Sequence, residues 1–306
     1  MSGDDKEAGK VGLAVQADGW RRVTPSPSAE DLKAFYAGEY FQASHGTYAQ
    51  AYSKTEIEHR NLLARLMLAA IAQGREPKGG DVAGGKLLEI GCGEGWFLSA
   101  ADRAGYAVRG LDFSEAGLTK FHPQFMDRCQ FGDAFDSLDR LIESGDRVDV
   151  CVMEHVLEHV VDPQALLARL PRLLSPGGVL AITVPNDFSP LQIAAREAGV
   201  IDRDFWVAPP QHLNYFNAET LPALLTRMGF AVTLGFASFP IDWFLMHPGS
   251  NYVVSPDAGK DAHGARLAID LVLAGQGMDA YLGLAKALFA CGAGRSLTVI
   301  ATPVVG

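Results

Sequence analysis

The stretch MEHVLEHVVDP, Met153 to Pro163, sets two imidazoles four residues apart with a carboxylate between them: His155, Glu158 and His159. Three kinds of chemistry fit that set. Read as H-x-x-E-H it is the inverted zincin pattern, in which one helical face gives two imidazoles to zinc and a carboxylate to a water. An imidazole, with an ordinary pKa of about 6.5, can instead act as a general base toward a hydroxyl near neutral pH. A histidine bonded to neighbouring backbone can also simply hold a loop. The element that carries the residues decides among these. Asp162-Pro163 reads as an N-cap and first helical residue, so a helix begins after His159. The histidines then lie in a loop with one helical turn, and the zincin reading, which needs a sustained helix, fails.

From Lys86 onward, short β-like runs alternate with helical ones: KLLEIG, AVRGLD, CQF, VDVCVM and GGVLAITVP are separated by segments with helical spacing. This alternation predicts an α/β fold with a doubly wound, mostly parallel sheet. Ligands of such sheets collect at the carboxyl ends of the strands, so the loops after each strand are where chemistry is sought. The first of these loops reads Leu87-Leu88-Glu89-Ile90-Gly91-Cys92-Gly93-Glu94-Gly95. Glycine at every second position lets backbone pass close beneath a ligand before a helix opens at Trp96. A nicotinamide-binding G-x-G-x-x-G would need a glycine at Trp96, and a Walker loop would need Gly-Lys-Ser/Thr; neither is present.

On these residues the segment from Lys86 to Phe236 resembles the class I S-adenosylmethionine-dependent methyltransferases. The resemblance implies a Rossmann-like seven-stranded sheet and S-adenosylmethionine as cofactor. It implies that Gly91, Gly93 and Gly95 line the methionine portion of the cofactor and that Glu89 faces its ammonium group. Asp112, ending AVRGLD, takes the ribose hydroxyls; Phe113 packs on the adenine; Asp133 and Ala134 meet the adenine edge; Glu154, closing the fourth strand, joins the cofactor contacts. Taken singly, Asp112 and Asp133 also read as cap or turn residues. The histidine loop aligns with the loop after the family's fourth strand. Ubiquinone-pathway O-methyltransferases place Glu-x-x-Glu-His there for a metal, whereas this chain has His155 at the first glutamate, so no metal is expected. His159 is the expected base, its tautomer fixed by Glu158 or a backbone carbonyl. PPQHLNYFNAETL, from Pro209, resembles an acceptor-wall segment of one branch, which adds His212 and Tyr215 as candidates. The expected activity is methylation of a hydroxyl on a small molecule, a sugar or natural-product intermediate; N- or C-methylation, and a non-catalytic partner subunit retaining the fold, are the alternatives.

The rest of the chain supports this site or stands apart from it. Residues 1–30 read as a flexible arm with a helix starting near Ser28, and 31–85 as an aromatic and helical lid. Residues 86–306 form the methyltransferase domain, with an insertion at 239–294 between the sixth strand (from Phe230) and the seventh (from Arg295). With 48% hydrophobic residues, the 306-residue chain can bury a large core. Acidic residues outnumber basic ones 36 to 26, and a net charge of −10 disfavours nucleic acid and anionic membrane surfaces. The N-terminal apolar run is too short for a leader, and Cys92, Cys129, Cys151 and Cys291 share no close spacing, so a cytoplasmic protein with reduced thiols is expected.

Overall fold

A computed structural model describes residues 12–27, 51–75 and 84–304. Its first elements are a hairpin, β1 (Gly12–Val15) and β2 (Arg21–Thr24), followed by the helix Lys54–Gly74. Then come β3 (Lys86–Ile90), β4 (Ala107–Asp112), β5 (Cys129–Phe131), β6 (Val148–Glu154) and β7 (Leu174–Pro185), joined by helical crossovers. A two-residue strand β8 (Asn214–Tyr215), then β9 (Phe230–Ala237) and β10 (Ser296–Pro303), complete the order.

Seven strands form one sheet in the order β5-β4-β3-β6-β7-β10-β9. All run parallel except β10, which is antiparallel to both neighbours. The order reverses between β3 and β6, the switch point at which doubly wound sheets bind ligands. Strand periodicity sends alternate residues to opposite faces. Leu88, Ile90, Cys151, Met153, Leu180 and Ile182 build one buried layer, and Leu87, Val150, Val152, Val179 and Ala181 build the other. With both faces covered by helices, the central strands are apolar at almost every position.

The helix Lys54–Gly74 starts on a capping box made by Ser53 and Glu56. It buries Leu62, Leu66, Met67, Ala70 and Ile71 in the second layer, so this part of the expected lid is a structural layer of the sheet sandwich. The remainder of the lid, with Phe35, Tyr36, Tyr40, Phe41 and Tyr48, and the expected helix start at Ser28 lie outside the described residues. The insertion supplies a 3-10 turn (Ile241–Met246) and two helices, Asp257–Ala274 and Met278–Ala290, broken at Gly275-Gln276-Gly277 as expected. These helices pack beside Lys54–Gly74, where the buried His59 Nε2 lies 2.8 Å from Asp270 and Tyr281 donates to the same carboxylate at 2.6 Å.

The expected flexible arm requires correction over residues 12–24. These residues form a hairpin whose second strand pairs with β8, Arg21 opposite Tyr215 and Arg22 opposite Asn214. Asp18-Gly19 makes the turn, Gly19 at φ +83°, and Trp20 is buried against Phe216 with ring centroids 5.3 Å apart. Burying an indole contributes on the order of 2–3 kcal/mol, which offsets the ordering of a short hairpin.

Candidate active site

The cofactor side is built from backbone. Gly91, Gly93 and Gly95 have φ of 75°, 51° and 81°, a left-handed region that costs a side-chain-bearing residue about 1–2 kcal/mol. At two of them space disfavours a side chain as well: a Cβ on Gly91 would stand 2.3 Å from Val156 Cγ2, and one on Gly95 2.6 Å from Leu118 Cδ1. Gly91 and Cys92 both donate to the Leu111 carbonyl, fastening the turn to the end of β4. Asp112 there accepts from Gly93 N–H at 2.7 Å on one oxygen and from Ser114 N–H at 3.0 Å on the other. The carboxylate keeps acceptor capacity for a ligand hydroxyl beside these backbone bonds. Burial pushes the Asp112 carboxyl up, against the three backbone N–H groups that pull it down. Phe113 beside it is exposed. Asp133 caps the helix Ala134–Glu143, accepting from Phe135 and Asp136 N–H, so it has a structural task beside any contact with an adenine.

Two carboxylates stand where a cation would satisfy them. Glu89 is buried, its Oε2 has no partner, and burial together with the nearby Glu154 charge pushes its pKa well above the usual carboxylate range. Glu154, closing β6, is also raised by burial, with His155 working against it. The ammonium and sulfonium of S-adenosylmethionine would supply the missing positive charge beside a turn whose glycines carry no side chain. The residues present fit that cofactor.

The histidine loop follows β6, and its helix begins where expected, with Asp162 accepting from Ala165 N–H. His155 holds φ +56°; among the described residues only Phe188, at the end of the neighbouring β7, is another non-glycine with positive φ. Such strain persists where surrounding contacts over-determine it. Here His155 N–H donates to the Thr183 carbonyl at 2.9 Å, and its Nδ1 lies 3.1 Å from Glu158 Oε1. Glu158 is 1% exposed and His155 48%. Burial alone would raise the Glu158 carboxyl, but the His155 bond and the charges of His159, His155 and His212 hold it below its ordinary value. Desolvation works against protonation of His155, yet the Glu158 bond and charge outweigh it and raise its pKa.

His159 meets the Gln211 carbonyl through Nδ1 at 2.7 Å, the backbone contact expected to fix its tautomer, and packs edge-on against His212 at 5.0 Å between ring centroids. Burial, then the His159 charge, lowers the His212 pKa to about 4, so its ring is neutral at neutral pH. Tyr215 is buried and donates to the His212 carbonyl. Glu158, His159 and His212 each present one ligand atom, all within 4.8 Å of one another. Glu158 Oε2 and His212 Nδ1 are buried and have no partner. Two imidazoles and a carboxylate suit a borderline divalent ion, so this donor set fits a metal, with His212 rather than His155 as the third ligand.

Sequence reasoning missed the groups beyond this loop. Asp187, two residues past β7, is buried and accepts from Arg295 Nη1 at 3.1 Å, while its Oδ2 has no partner. Burial pushes its pKa up to about 6 against the pull of Arg295, with Glu158 and Asp242 adding repulsion. Asp242, from the 3-10 turn, bonds Gln192 and Tyr252. A signal was available for Asp187 and for its partner Arg295. Asp187 follows a strand end, and an antiparallel β10 must begin where its parallel neighbours finish, which puts Arg295 at the ligand end of the sheet.

A sequence profile described as a methyltransferase domain matches residues 57–234. A ubiquinone biosynthesis O-methyltransferase of Ruegeria pomeroyi is 30% identical over 168 residues, covering 53% of this chain and 66% of that protein. A probable S-adenosylmethionine-dependent methyltransferase of Mycolicibacterium smegmatis is 32% identical over 157 residues, covering 50% and 55%. The chain thus spans about half to two thirds of the length of these relatives. Among solved structures, a SAM-dependent methyltransferase from Archaeoglobus fulgidus aligns with a TM-score of 0.47 at 20% identity, covering 79% of this chain and 93% of that one. No described helix is long and apolar enough to cross a membrane. The match extends over more than half of the chain and contains both the glycine turn and the histidine loop; this protein belongs to the class I S-adenosylmethionine-dependent methyltransferases.

Proposed function

We propose that the protein methylates a hydroxyl oxygen of a small molecule, with His155 as the base and Glu158 as the carboxylate that orients it. The observation that carries this reading is the strained His155 bonded through Nδ1 to a buried glutamate at the end of β6. An Nδ1–H donated to Glu158 leaves Nε2 as the acceptor on a half-exposed ring. His159, expected as base from the sequence, is less exposed and turns its Nε2 toward Glu158 at 3.9 Å. S-adenosylmethionine supplies an electrophilic methyl on a sulfonium; the chain's part is to align the acceptor oxygen and take its proton. The names of the ubiquinone-type relatives support oxygen over nitrogen or carbon. Around the loop, Glu158, Asp187 and Asp242 set three carboxylates against Arg295, which favours a neutral hydroxylated acceptor, such as a sugar unit, over an anion.

The test begins with methyl-labelled cofactor and a metabolite extract, to identify an acceptor. His155→Ala is then expected to lower the single-turnover rate by roughly 10² to 10⁴ with cofactor affinity near normal. Because the Glu158 contact raises the His155 pKa, the native rate should climb with pH through a value above 6.5, and the deficit of the variant should shrink at high pH as the acceptor ionises. A second reading rests on the two orphaned atoms at Glu158 and His212: a divalent ion held there would lower the pKa of the bound hydroxyl. Loss of activity on chelation, restored by a divalent ion, together with a fully active His155→Ala, would replace the base with the metal.

A further inference from the structure

We infer that Glu94 is a positioning residue for the cofactor: its buried carboxylate clasps Tyr52, Trp96 and Arg60 and so fixes the glycine turn on which S-adenosylmethionine rests. Glu94 lies between Gly93 and Gly95, both in the left-handed region, and is 6% exposed. Its Oε1 accepts from the Tyr52 hydroxyl at 2.7 Å, and its Oε2 accepts from the Trp96 indole N–H at 2.6 Å. Arg60 Nη1 stands 3.6 Å from Oε2, with its guanidinium 4.0 Å above the Tyr52 ring. The Glu94 carbonyl accepts from His122 Nδ1 at 2.7 Å, and the His122 ring sits edge-on to Trp96 at 4.7 Å. Two distant stretches, one carrying Tyr52 and Arg60 and the other His122, therefore converge on one residue of the turn, where Trp96 joins them.

The physical need follows from the glycines. A turn with glycine at alternate positions has more backbone freedom than any other, and a ligand that binds it must otherwise bear the cost of ordering it. Charge-assisted bonds to a buried carboxylate are a strong restraint, and this one ties the turn to a helix from another part of the chain. Helix Lys54–Gly74 begins one residue after Ser53, so the clasp also joins that helix to the turn.

Titration calorimetry of the full chain with S-adenosylmethionine tests the assignment without any acceptor. Glu94→Ala should weaken binding about 10- to 100-fold. Glu94→Gln can still accept from Trp96 and donate to the Tyr52 oxygen, so it should recover to within about fivefold of the native affinity. Met67→Ala, a truncation in the buried face of the same helix, should cost at least as much in melting temperature but change the affinity less than about twofold. Native affinity in Glu94→Ala, or an equal loss of affinity in Met67→Ala, would overturn the clasp and leave Glu94 as core packing. Should Glu94→Ala not fold, Tyr52→Phe combined with Trp96→Phe removes both donors while keeping an aromatic ring at each position, and native affinity in that variant overturns it equally.

Discussion

Around the cofactor turn, the motif from Glu89 to Gly95 is local and Asp112 is bonded to backbone N–H, with the Glu94 contacts to Tyr52, Arg60 and His122 reaching it from distant segments. Around the histidine loop the groups come from positions 155, 158, 187, 212, 242 and 295, and most bonds run from one side chain to another. The first arrangement is dictated by a contiguous motif, and the second by tertiary packing of distant segments. A fold organised this way can keep one cofactor while the loops that meet the acceptor are rebuilt.

Gly91 is where the two regions touch, and it gives the largest expected effect. Gly91→Ala would put a methyl against Val156 in the histidine loop at a backbone angle that disfavours alanine, and should weaken cofactor binding by about 100-fold or more. Trimming the obstacle with Val156→Ala should return only part of that loss, since the backbone strain remains. Full rescue in calorimetry would mean that contact with the loop, and not turn geometry, governs the cofactor side.

An intermediate effect is expected from Asp187. Its carboxyl, raised to about 6 in the folded chain against an ordinary value near 3.8, stays protonated after the unfolded chain has ionised. Folded stability is therefore expected to fall as pH rises from about 4 through 6, by roughly 2–3 kcal/mol from this group. Urea unfolding at pH 4 and pH 7 measures the slope, and Asp187→Asn should flatten it. An unaltered slope would show that the charge is compensated by Arg295 alone.

The smallest effect belongs to the rim. Trp243 is half exposed next to the buried Asp242, so Trp243→Ala should cost under about 1 kcal/mol of stability and leave cofactor affinity intact, while raising the acceptor KM several-fold. An equal loss of cofactor affinity would tie the insertion to the cofactor side and blur the division drawn above.

The same division explains what could be read from the amino-acid sequence. Leu87 to Gly95 and Asp112 were legible because local spacing alone creates their geometry, and the parallel sheet was legible because its buried strands alternate with helical segments. The pairing of His155 with Glu158, and of His212 with His159, required the loop's actual path. Asp187 and Arg295 are more than a hundred residues apart, and nothing local announces their bond. The N-terminal hairpin escaped for a related reason: its strands have four residues each, and what stabilises them is Trp20 on Phe216 and β2 on β8. Its one local signal was the Asp18-Gly19 turn.

That hairpin also sets a timetable for the growing polypeptide. Arg21 and Arg22 leave the ribosome early, yet their partners Asn214 and Tyr215 are added roughly 190 residues later, which at about 5–20 residues per second is a wait of about 10–40 s. Throughout that interval the Trp20 indole has no Phe216 to cover it, so the nascent chain offers an aromatic handle that vanishes once β8 has been made.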